Sequence, residues 1–507
     1  MRLKALIKTL DDYQLYPALS VAERGYKIRK GGVYCDLEDF EVSGISCNSK
    51  NILPNFVFVA IKGTKEDGHK FIQEAIVKGA KAVVVECQLS SVKCQDNKIN
   101  LIKVDNARKA LAKLAAGFYG NPSAKIKVVG ITGTNGKTTI SYLIEALLKE
   151  AGKIPGVIGT INYRFKDKVI PAKNTTPGQI ELQSALADMS REGTNYVVLE
   201  VSSHALDQDR TEGIDFHCAI FTNLTGDHLD YHQTLENYFQ AKAKLFQNIN
   251  LHSVAIINND DIYGRKLKEL IKSKIITYGI ENPADIRAAD INFDISHTEF
   301  RLVAPQGEIN FTSRLIGRHN VYNILAAVAF ALKEGLSLSV IKSAIERFYY
   351  VPGRLERIEF LGNFLVFVDY AHTEDALVNV IKTLRQVSGN RIIVVFGCGG
   401  ERDKTKRPKM GYAVSELADY AIITNDNPRS EDPLEIIEEI KKGISKKNFC
   451  VIPDRKEAIN KSLTLAKSGD IVLVAGKGHE NYQILNDRII HFDDRETVRE
   501  CLKSVNY

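Results

Sequence analysis

The stretch GITGTNGKTT, residues 130–139, joins the apolar run IKVVGIT to the helix-like segment TTISYLIEALLKEAG. A glycine-rich turn between a strand and a helix is the arrangement in which backbone N–H groups wrap the phosphates of a nucleotide. Lys137 can reach the β- and γ-phosphate oxygens there, and the Thr138 hydroxyl can bind Mg²⁺. The strict phosphate-loop pattern has a glycine where this chain has Ile131, which follows Gly130. The stretch nevertheless predicts an ATP site at the start of an α/β unit.

Turn-rich segments divide the chain into three parts. A chain of 507 residues is too long for a single core, and GNPSAK (120–125) and VPGR (351–354) are candidate boundaries. Each part alternates short apolar strands with helical patterns, which favours parallel sheets flanked by helices. We therefore predict a three-domain α/β fold: residues 1–123, a central phosphate-loop domain over 124–350 with a parallel sheet, and a Rossmann-like domain over 351–507.

Composition excludes several classes of function. The formal charge of +6 is small for 507 residues and too diffuse for a nucleic-acid surface. No apolar run approaches the roughly 20 residues that span a bilayer, and acids interrupt the N-terminal segment where a signal peptide would stay apolar. The eight cysteines are scattered without a C-x-x-C pair, which is typical of reduced thiols. We expect a cytoplasmic monomer that binds neither nucleic acid nor membrane.

The segment YVVLEVSSHAL, residues 196–206, places Glu200 near the end of a strand, with Ser202, Ser203 and His204 in the loop after it. A carboxylate there can complete a Mg²⁺ shell together with Thr138, because Mg²⁺ prefers oxygen ligands and shared phosphates. The serines lack the G-x-S-x-G context of a hydrolase nucleophile. The pattern favours a metal–nucleotide site, although a structural role for Glu200 stays open from the residues alone.

Lys242 lies on the apolar face of the predicted helix TLENYFQAKAKLF. Apolar residues at 235, 238, 239, 245 and 246 share the face that position 242 completes, whereas Lys244 can point to solvent. A buried lysine has a lowered pKa and is partly a neutral amine, which can add CO₂ to form a carbamate. The alternative is a lysine whose stem packs on apolar surface while its ammonium reaches water.

Motifs along almost the whole chain resemble those of the Mur ligases, the ATP-dependent amide-forming enzymes of peptidoglycan assembly. The phosphate loop TGTNGKTT carries this resemblance, and further motifs follow in order: NTTP, EVSSHAL, TNLTGDHLDYH, YFQAK, VPGRLE, DYAHTEDAL, GCGGERDKTKRP, DNPR and GKGHENYQ. The resemblance implies that the first domain binds a UDP-MurNAc nucleotide, the central domain ATP, and the third domain an amino acid.

The implied reaction adds meso-2,6-diaminopimelate to UDP-MurNAc-L-Ala-D-Glu through an acyl phosphate. Two Mg²⁺ ions are the implied cofactors, with ATP as co-substrate. The same reaction with L-lysine is an alternative, and so is a folylpoly-γ-glutamate synthetase, although that enzyme lacks a large uridine-binding domain. A P-loop switch ATPase is a third alternative, but it leaves YFQAK and DNPR unexplained.

The resemblance also implies roles for residues of the central and third domains. Lys137, Lys242 and His228 are the implied catalytic residues. The implied metal ligands are Thr138, Glu200, His228 and Lys242 as its N6-carboxylated form. The implied ATP contacts are Gly133, Thr134, Asn135, Gly136, Lys137, Thr138, Thr139, Arg354, Asp369 and His372.

Two further sets are implied for the other substrates. The contacts to the UDP-MurNAc-dipeptide are Ser49, Thr64, Lys65, Glu66, Asn174, Thr175, Thr176, Ser202, Gln208 and Arg210. The contacts to diaminopimelate are Arg402, Asp426, Asn427, Pro428, Arg429, Gly476 and Glu480. In the first set this chain departs from the family segment Asp-Ser-Arg: it has Asn48 and Lys50 around Ser49, and Asn55 where glycine is usual.

DNPR, residues 426–429, is where the amino acid is expected to be selected. Meso-diaminopimelate differs from lysine by a second carboxylate, which a planar, bidentate guanidinium fits well. In the family, arginine in this motif accompanies the diaminopimelate enzymes, and lysine-adding members carry a different residue. Arg429 therefore predicts diaminopimelate as the substrate, within a turn that Pro428 shapes.

Overall fold

The computed structural model of the protein describes residues 1–16, 38–63, 66–86 and 99–504. The strands are β1 (Gln14–Tyr16), β2 (Gly44–Ser46), β3 (Phe56–Val59), β4 (Ala80–Val85), β5 (Asn100–Lys103), β6 (Lys127–Thr132), β7 (Pro155–Ile158), β8 (Asn162–Phe165), β9 (Lys168–Pro171), β10 (Tyr196–Glu200), β11 (Phe216–Phe221), β12 (Val254–Asn258), β13 (Lys274–Gly279), β14 (Ile286–Phe293), β15 (Thr298–Ala304), β16 (Gly307–Ser313), β17 (Glu356–Arg357), β18 (Leu365–Asp369), β19 (Ile392–Phe396), β20 (Tyr420–Ile423), β21 (Phe449–Val451), β22 (Ile471–Ala475), β23 (Tyr482–Leu485) and β24 (Arg488–His491).

The α-helices fall between these strands. They are α1 (Leu3–Leu6), α2 (Ile72–Val77), α3 (Ala107–Phe118), α4 (Lys137–Glu150), α5 (Gln179–Arg191), α6 (Ser203–Asp207), α7 (Leu229–His232), α8 (Leu235–Gln247), α9 (Ile262–Lys268), α10 (Arg318–Lys333), α11 (Leu338–Glu346), α12 (Glu374–Val387), α13 (Lys406–Leu417), α14 (Pro433–Lys441), α15 (Arg455–Leu465) and α16 (Asp494–Ser504). Ser203 and His204 thus begin a short helix, not the loop predicted, because the Ser202 hydroxyl caps it by accepting from the Ala205 N–H at 3.2 Å.

The described residues form two compact units. The first consists of Met1–Gly130, Ile154–Ala219 and Lys244–Ser253, and the second of Ile131–Lys153, Ile220–Ala243 and Val254–Tyr507. These units are not the predicted domains, and the domain boundaries at residues 123 and 350 stay predictions.

In the first unit, a five-stranded sheet has the order β1-β5-β4-β3-β2. Strands β2 to β5 are parallel, and β1 pairs antiparallel with β5. Apolar residues cover both faces, because alternate residues of β4 enter two different clusters: Ala82 and Val84 pack on one side, Val83 and Val85 on the other. Burial of both faces is what a parallel sheet requires.

In the second unit, a six-stranded sheet has the order β17-β18-β22-β19-β20-β21, and all its strands except β17 are parallel. Ile392, Val394 and Phe396 of β19 face one apolar cluster, and Ile393 and Val395 face the other. Because strands β18, β19, β20 and β22 are parallel, they all end at one edge of the sheet. Loops after strand ends at this edge are where α/β sheets bind ligands.

An 11-stranded sheet contains the strand before the phosphate loop. Its order is β16-β15-β14-β13-β12-β11-β6-β10-β7-β8-β9. The expectation of a parallel sheet is wrong at both ends, where β14–β16 and β7–β9 pair antiparallel. Hairpins make these pairings possible: Gly307 has a φ of 127° and Lys166 a φ of 49°, which are turn conformations.

Two further expectations concern membranes and thiols. Among the described residues, no helix is both long and apolar enough to cross a membrane. The cysteines in the described segments, at positions 47, 218, 398, 450 and 501, are free thiols.

Candidate functional site

The phosphate loop runs from the end of β6 to the start of α4. Gly133 and Gly136 have φ values of 146° and 91°, which residues with a Cβ atom rarely adopt. Thr134 N–H donates to the Asn223 carbonyl at 2.8 Å, and Asn135 N–H donates to the Asn223 side chain at 2.9 Å. The loop after β11 thus holds the phosphate loop in shape. Gly136 is also close to Asn323 of α10, so a Cβ at position 136 has no room.

The predicted catalytic lysine lies inside this loop. Lys137 Nζ donates to the carbonyls of Gly133 and Thr134, both at 2.8 Å. Thr138 and Thr139 follow on the first turn of α4 and are buried. Arg354 Nη2 lies 3.4 Å from the Thr138 hydroxyl, and its guanidinium stacks 4.6 Å over the Tyr370 ring. The structure therefore brings Arg354 to Thr138, and both residues are predicted to contact ATP.

Lys242 of α8 points inward, as the helical periodicity predicts. Its side chain is 1% exposed, and Nζ donates to the Gly133 carbonyl at 2.9 Å. Nζ also lies 4.5 Å from the centre of the Tyr238 ring. Burial first, and then the positive charge of Lys137, hold the pKa of Lys242 well below its ordinary value of 10.5. Lys242 is thus a buried amine that touches the phosphate loop.

Two residues of this site were not singled out in the sequence. Tyr238 lies one turn before Lys242, and its hydroxyl is 3.3 Å from the Thr134 hydroxyl. Asp227 lies beside His228, with 3.5 Å between Asp227 Oδ2 and His228 Nε2. Burial opposes ionisation of Asp227, but the charges of His228, His372 and Lys137 outweigh it, so its pKa lies below its ordinary value. Asp227 lies in the motif TNLTGDHLDYH and Tyr238 in YFQAK, but the resemblance implied site roles only for His228 and Lys242 of these motifs.

The loop after β18 lies beside Arg354, whose guanidinium stacks on the Tyr370 ring. Asp369 is the last residue of β18 and accepts the N–H groups of Leu355 and Ala371 at 2.5 and 2.7 Å. Its side chain therefore shapes the backbone beside Arg354. The ring of His372 is 2.8 Å from the Tyr370 carbonyl, and burial lowers the pKa of His372.

Helix α12 also reaches the phosphate loop. Asp375, in its first turn, accepts from the side chains of Asn135 and Thr225 at 3.2 and 3.1 Å. Asn135 and Asp375 are 240 positions apart, so no local sequence pattern predicts their contact.

In the first unit, Glu200 is the last residue of β10 and is 1% exposed. Its carboxylate accepts from Thr160 N–H at 3.1 Å and from the Thr160 hydroxyl at 2.8 Å. A Cβ on Gly159 would collide with this carboxylate, so glycine at position 159 makes space for it. Glu200 is therefore fixed at a strand end, as predicted.

Most of the predicted dipeptide contacts in the first unit form one cluster. Thr176 connects them: its hydroxyl donates to the Glu200 carbonyl at 2.8 Å and accepts from Ser202 N–H at 3.0 Å. Its carbonyl accepts from Arg210 at 3.0 Å, and Arg210 also donates to Gln208 at 2.7 Å. Thr175 reaches Thr160 at 3.1 Å, and the exposed Asn174 accepts through its carbonyl from Tyr163.

The predicted uridine contacts are only partly described. Thr64 and Lys65 lie outside the described residues. Ser49 is buried and donates to Glu74 at 3.0 Å, while Glu66 is exposed. Asn48, which replaces the family aspartate, caps the short turn by accepting from Lys50 N–H at 3.0 Å. The substitution therefore keeps the local turn while removing a charge.

DNPR lies in the loop after β20, and its Arg429 forms a parallel bridge with Leu485 of β23. Arg429 has a φ of 55°; its N–H donates to the Ile484 carbonyl at 3.2 Å, and its carbonyl accepts from Asn486 N–H at 2.7 Å. The Arg429 guanidinium donates to the Gly400 carbonyl at 2.7 Å. The turn is therefore held by a second segment and joined to the glycine loop after β19.

The predicted amino-acid contacts from three loops converge here. A Cβ on Gly399 would lie 3.0 Å from Arg429 Nη1 and 3.9 Å from Arg402 Cγ. The charges of Arg429 and Arg402 both lower the pKa of the Tyr482 phenol, although burial and Glu480 raise it overall. Asn427 donates to Glu480 at 2.9 Å. The structure thus brings two guanidinium groups and a carboxylate together from the loops after β19, β20 and β22.

Three family models match successive segments of the chain. The family models that match are Mur ligase family, catalytic domain, over residues 41–119; Mur ligase middle domain over 131–331; and Mur ligase, glutamate ligase domain, over 353–478. A UDP-N-acetylmuramoyl-L-alanyl-D-glutamate–2,6-diaminopimelate ligase from Clostridium tetani is 43% identical over 507 residues, covering 100% of both chains. The chain belongs to the Mur ligase family.

Two further relatives agree with this assignment. A Mur ligase of the same name from Geobacter metallireducens is 45% identical over 489 residues, covering 92% of this chain and 95% of its own. A solved structure of a UDP-N-acetylmuramoyl-L-alanyl-D-glutamate–2,6-diaminopimelate ligase is 35% identical, with a TM-score of 0.66, and covers 91% of this chain and 95% of its own. The predicted three-domain α/β fold class and the assignment as an ATP-dependent ligase are thereby confirmed.

Arg407 is a residue of this Mur ligase that the sequence did not single out. In ERDKTKRPK it looks like part of a solvated basic run, yet its side chain is 1% exposed. Its guanidinium donates to Glu431 at 3.0 Å and Glu439 at 2.8 Å, and to the Gly399 carbonyl at 3.2 Å. Arg407 therefore ties the glycine loop after β19 to the segment that follows DNPR.

This contact predicts a pH-dependent contribution to stability. Hydrogen bonding to Arg407 holds the pKa of Glu431 at about 2, below its ordinary 4.5. A depressed pKa in the fold stabilises it above the unfolded-state value, and that stabilisation is lost as pH falls through the folded value. We expect Arg407→Met to lower the melting temperature at pH 7, and the difference from wild type to shrink between about pH 4.5 and pH 2.

Lys404 provides the control, because it contacts the same carboxylate at 3.2 Å from a side chain that is 61% exposed. Lys404→Met should change the melting temperature little, since exposed ion pairs contribute about 0–1 kcal/mol. A wild-type to Arg407→Met difference that stays constant over this pH range would refute the role of Glu431.

Proposed function

We propose that this Mur ligase joins meso-2,6-diaminopimelate to UDP-MurNAc-L-alanyl-D-glutamate with ATP, as a monomer in the cytoplasm, during synthesis of peptidoglycan precursors. The observation that carries the choice of amino acid is the convergence of Arg402, Arg429 and Glu480 around Gly399 and Tyr482. Two guanidinium groups and a carboxylate are the partners that a substrate with an extra amino-carboxyl end requires. The two relatives described above, which match 100% and 92% of the chain, carry this amino acid in their names.

The first step transfers a phosphoryl group to the D-glutamyl γ-carboxylate. A carboxylate oxygen attacks the γ-phosphorus of ATP, and the bond between that phosphorus and the oxygen that bridges to the β-phosphate breaks. The products are an acyl phosphate and ADP. Phosphoryl transfer needs positioning and charge neutralisation more than covalent help. Lys137 supplies a cation inside the phosphate loop, and Arg354 supplies a second cation beside Thr138.

The second step forms the amide. The amine of diaminopimelate attacks the acyl carbon, and the tetrahedral intermediate expels phosphate. Arg429 and Arg402 are proposed to hold the distal carboxylate, while Asp426, Asn427, Pro428, Gly476 and Glu480 shape the pocket around the distal amino group. Exclusion of water protects the acyl phosphate from hydrolysis during this step.

The donors present fit Mg²⁺ on chemical grounds. Among the described residues, no three His, Cys, Asp or Glu side chains lie close enough to hold a metal together. The second unit offers other ligands: the Thr138 hydroxyl, His228, and Lys242 once CO₂ has converted its amine to an anionic carbamate. The buried amine of Lys242 beside Gly133 supports that modification. Bound Mg²⁺ would neutralise phosphate charge, and Glu200 remains a predicted further ligand.

Omission of single substrates tests the ligase reaction. ADP formation should require both UDP-MurNAc-L-Ala-D-Glu and meso-diaminopimelate for steady turnover, because the amine is needed to consume the acyl phosphate. An ATPase rate that is indifferent to both compounds would refute the ligase proposal and favour a P-loop switch.

Replacing Arg429 should affect one substrate selectively. We expect Arg429→Ala to raise KM for meso-diaminopimelate roughly 30-fold, because a charged hydrogen bond contributes about 2 kcal/mol. The KM values for ATP and the UDP-dipeptide should stay within about twofold. Initial rates with each substrate varied in turn measure the three constants.

Arg429→Lys is the matched control, because it keeps the charge but loses the planar fork. It should fall between wild type and Arg429→Ala in its KM for diaminopimelate. Equal losses for all three substrates in Arg429→Ala would contradict a selective role.

A further inference from the structure

A buried polar cluster lies beneath the proposed amino-acid pocket. We define the Lys477 cluster as Asp426, Asn427, Lys477 and Glu480. The Lys477 side chain is 0% exposed, and its Nζ lies 3.2 Å from Glu480 Oε2 and 3.3 Å from Asn427 Oδ1. Asn427 donates its amide to the same Glu480 oxygen at 2.9 Å. Glu480 thus has one carboxylate oxygen held by two buried donors.

The loops that carry this cluster are held together at their bases. Gln483 donates to the Asp426 carbonyl at 2.6 Å, and Ile484 N–H donates to Asn427 Oδ1 at 3.0 Å. Arg455 of α15 donates to the Ala475 carbonyl at 2.9 Å and the Asn425 carbonyl at 3.2 Å. The backbone that carries the cluster and the side chain of Asn427 are therefore held by contacts outside the cluster.

The charge balance of the cluster depends on Lys477. Burial and the negative charge of Asp426 raise the pKa of Glu480, whereas Lys477 and Asn427 lower it. Arg455 is the other buried cation nearby, but its guanidinium is bound by both oxygens of Asp494, at 2.7 and 2.8 Å. Lys477 is thus the cation that hydrogen-bonds to Glu480.

Other charged and titratable groups face the cluster from neighbouring elements. These groups interact electrostatically with members of the cluster. They are Tyr370 and His372 from the loop after β18, Cys398 from the loop after β19, Arg455 from α15, His479 beside Glu480, and Tyr482 from β23. Burial raises the pKa of both phenols and lowers that of His372, so these three groups are neutral near pH 7.

We propose that Lys477 is a positioning residue that keeps Glu480 ionised and oriented, so that Glu480 accepts the distal ammonium of the incoming diaminopimelate. The inference rests on the proposed function, in which Glu480 binds that group. Lys477 itself is covered and does not touch the substrate. Its ammonium compensates for a second carboxylate, Asp426, which would otherwise favour a protonated Glu480. A protonated Glu480 carries no charge, so it cannot form an ion pair with an ammonium group.

The pH dependence of KM for meso-diaminopimelate tests this role in the full-length enzyme. In Lys477→Met, loss of the Lys477 charge should raise the pKa of Glu480 further, so KM for meso-diaminopimelate relative to wild type should rise at least about tenfold at pH 7. That ratio should fall as the pH is raised from 7 to 9, because a higher pH favours the ionised carboxylate. KM for ATP and the UDP-dipeptide should be unchanged at both pH values.

Two further variants separate this role from a structural one. Glu480→Gln imitates the protonated carboxyl, so its KM ratio should be raised and independent of pH; adding Lys477→Met to it should cause no further rise. Lys461→Met, an exposed lysine of α15, should match wild type throughout.

Several results would overturn the inference. A pH-independent ratio in Lys477→Met would mean that the lysine only supports the fold, and a wild-type KM in Glu480→Gln would remove the need for an ionised Glu480, even if Lys477→Met did not fold. Failure of the proposed function is distinct, because the wild-type enzyme itself would then form no diaminopimelate product.

Discussion

Lys137→Met should lower the rate of ADP formation by about 10³-fold, the scale at which single charged or hydrogen-bonding groups act on phosphoryl and acyl transfer. The side chain of Lys137 is held inside the phosphate loop by the Gly133 and Thr134 carbonyls. Methionine keeps the length of the side chain but removes its charge. The transferring phosphoryl group would then lose its nearest protein cation, while the backbone of the loop keeps its shape.

The control for Lys137 lies at the other end of the same helix. Lys149 is 61% exposed and pairs with Glu145 one turn away, so Lys149→Met should retain wild-type rates. Binding of the UDP-dipeptide to Lys137→Met should also be unchanged, because its predicted contacts lie in the first unit. A Lys137→Met enzyme within tenfold of wild type would contradict the assignment of this loop to catalysis.

Lys242→Met should reduce turnover by at least about 10²-fold, because it removes both the buried amine and the proposed carbamate. The substitution should not lower the stability of the fold. Burial lowers the pKa of Lys242, so proton binding to its amine opposes folding at any pH below 10.5. An apolar side chain removes this cost, and the melting temperature at pH 7 should be equal to that of wild type or higher.

Small carboxylates and labelled bicarbonate identify the carbamate. Acetate should partly restore turnover of Lys242→Ala, because it supplies a carboxylate where the variant leaves room. Wild-type enzyme equilibrated with ¹³C-bicarbonate should show a carbamate carbon resonance that is absent from Lys242→Met, whereas Lys244→Met should keep both the resonance and the activity. Full activity of Lys242→Met, or a wild-type spectrum without the resonance, would rule the modification out.

The parts of the fold and site that were predictable rest on local patterns. The phosphate loop, the strand end at Glu200 and the inward direction of Lys242 follow from glycine spacing and from periods of two and 3.6 residues. These patterns depend on neighbours within about ten positions. The structure places all three as predicted.

What the sequence missed depends on contacts between distant segments. Arg407 reads as one charge in a basic run until Glu431 and Glu439 are brought to it. Lys477 likewise gains its role from Asn427, 50 positions earlier. The antiparallel strands β14–β16 were missed because short alternating strands resemble the rest of an α/β pattern until hairpin pairing is seen. Tertiary context decides such cases, and periodicity does not.

A competition experiment measures directly which amino acid the enzyme adds. UDP-MurNAc-L-Ala-D-Glu and ATP are incubated with equal concentrations of meso-diaminopimelate and L-lysine, and the product is weighed by mass spectrometry. We predict a UDP-MurNAc-tripeptide that contains diaminopimelate, with the lysine product a minor species. A product that contains mainly lysine, or the absence of any tripeptide, would contradict the proposed addition of meso-diaminopimelate.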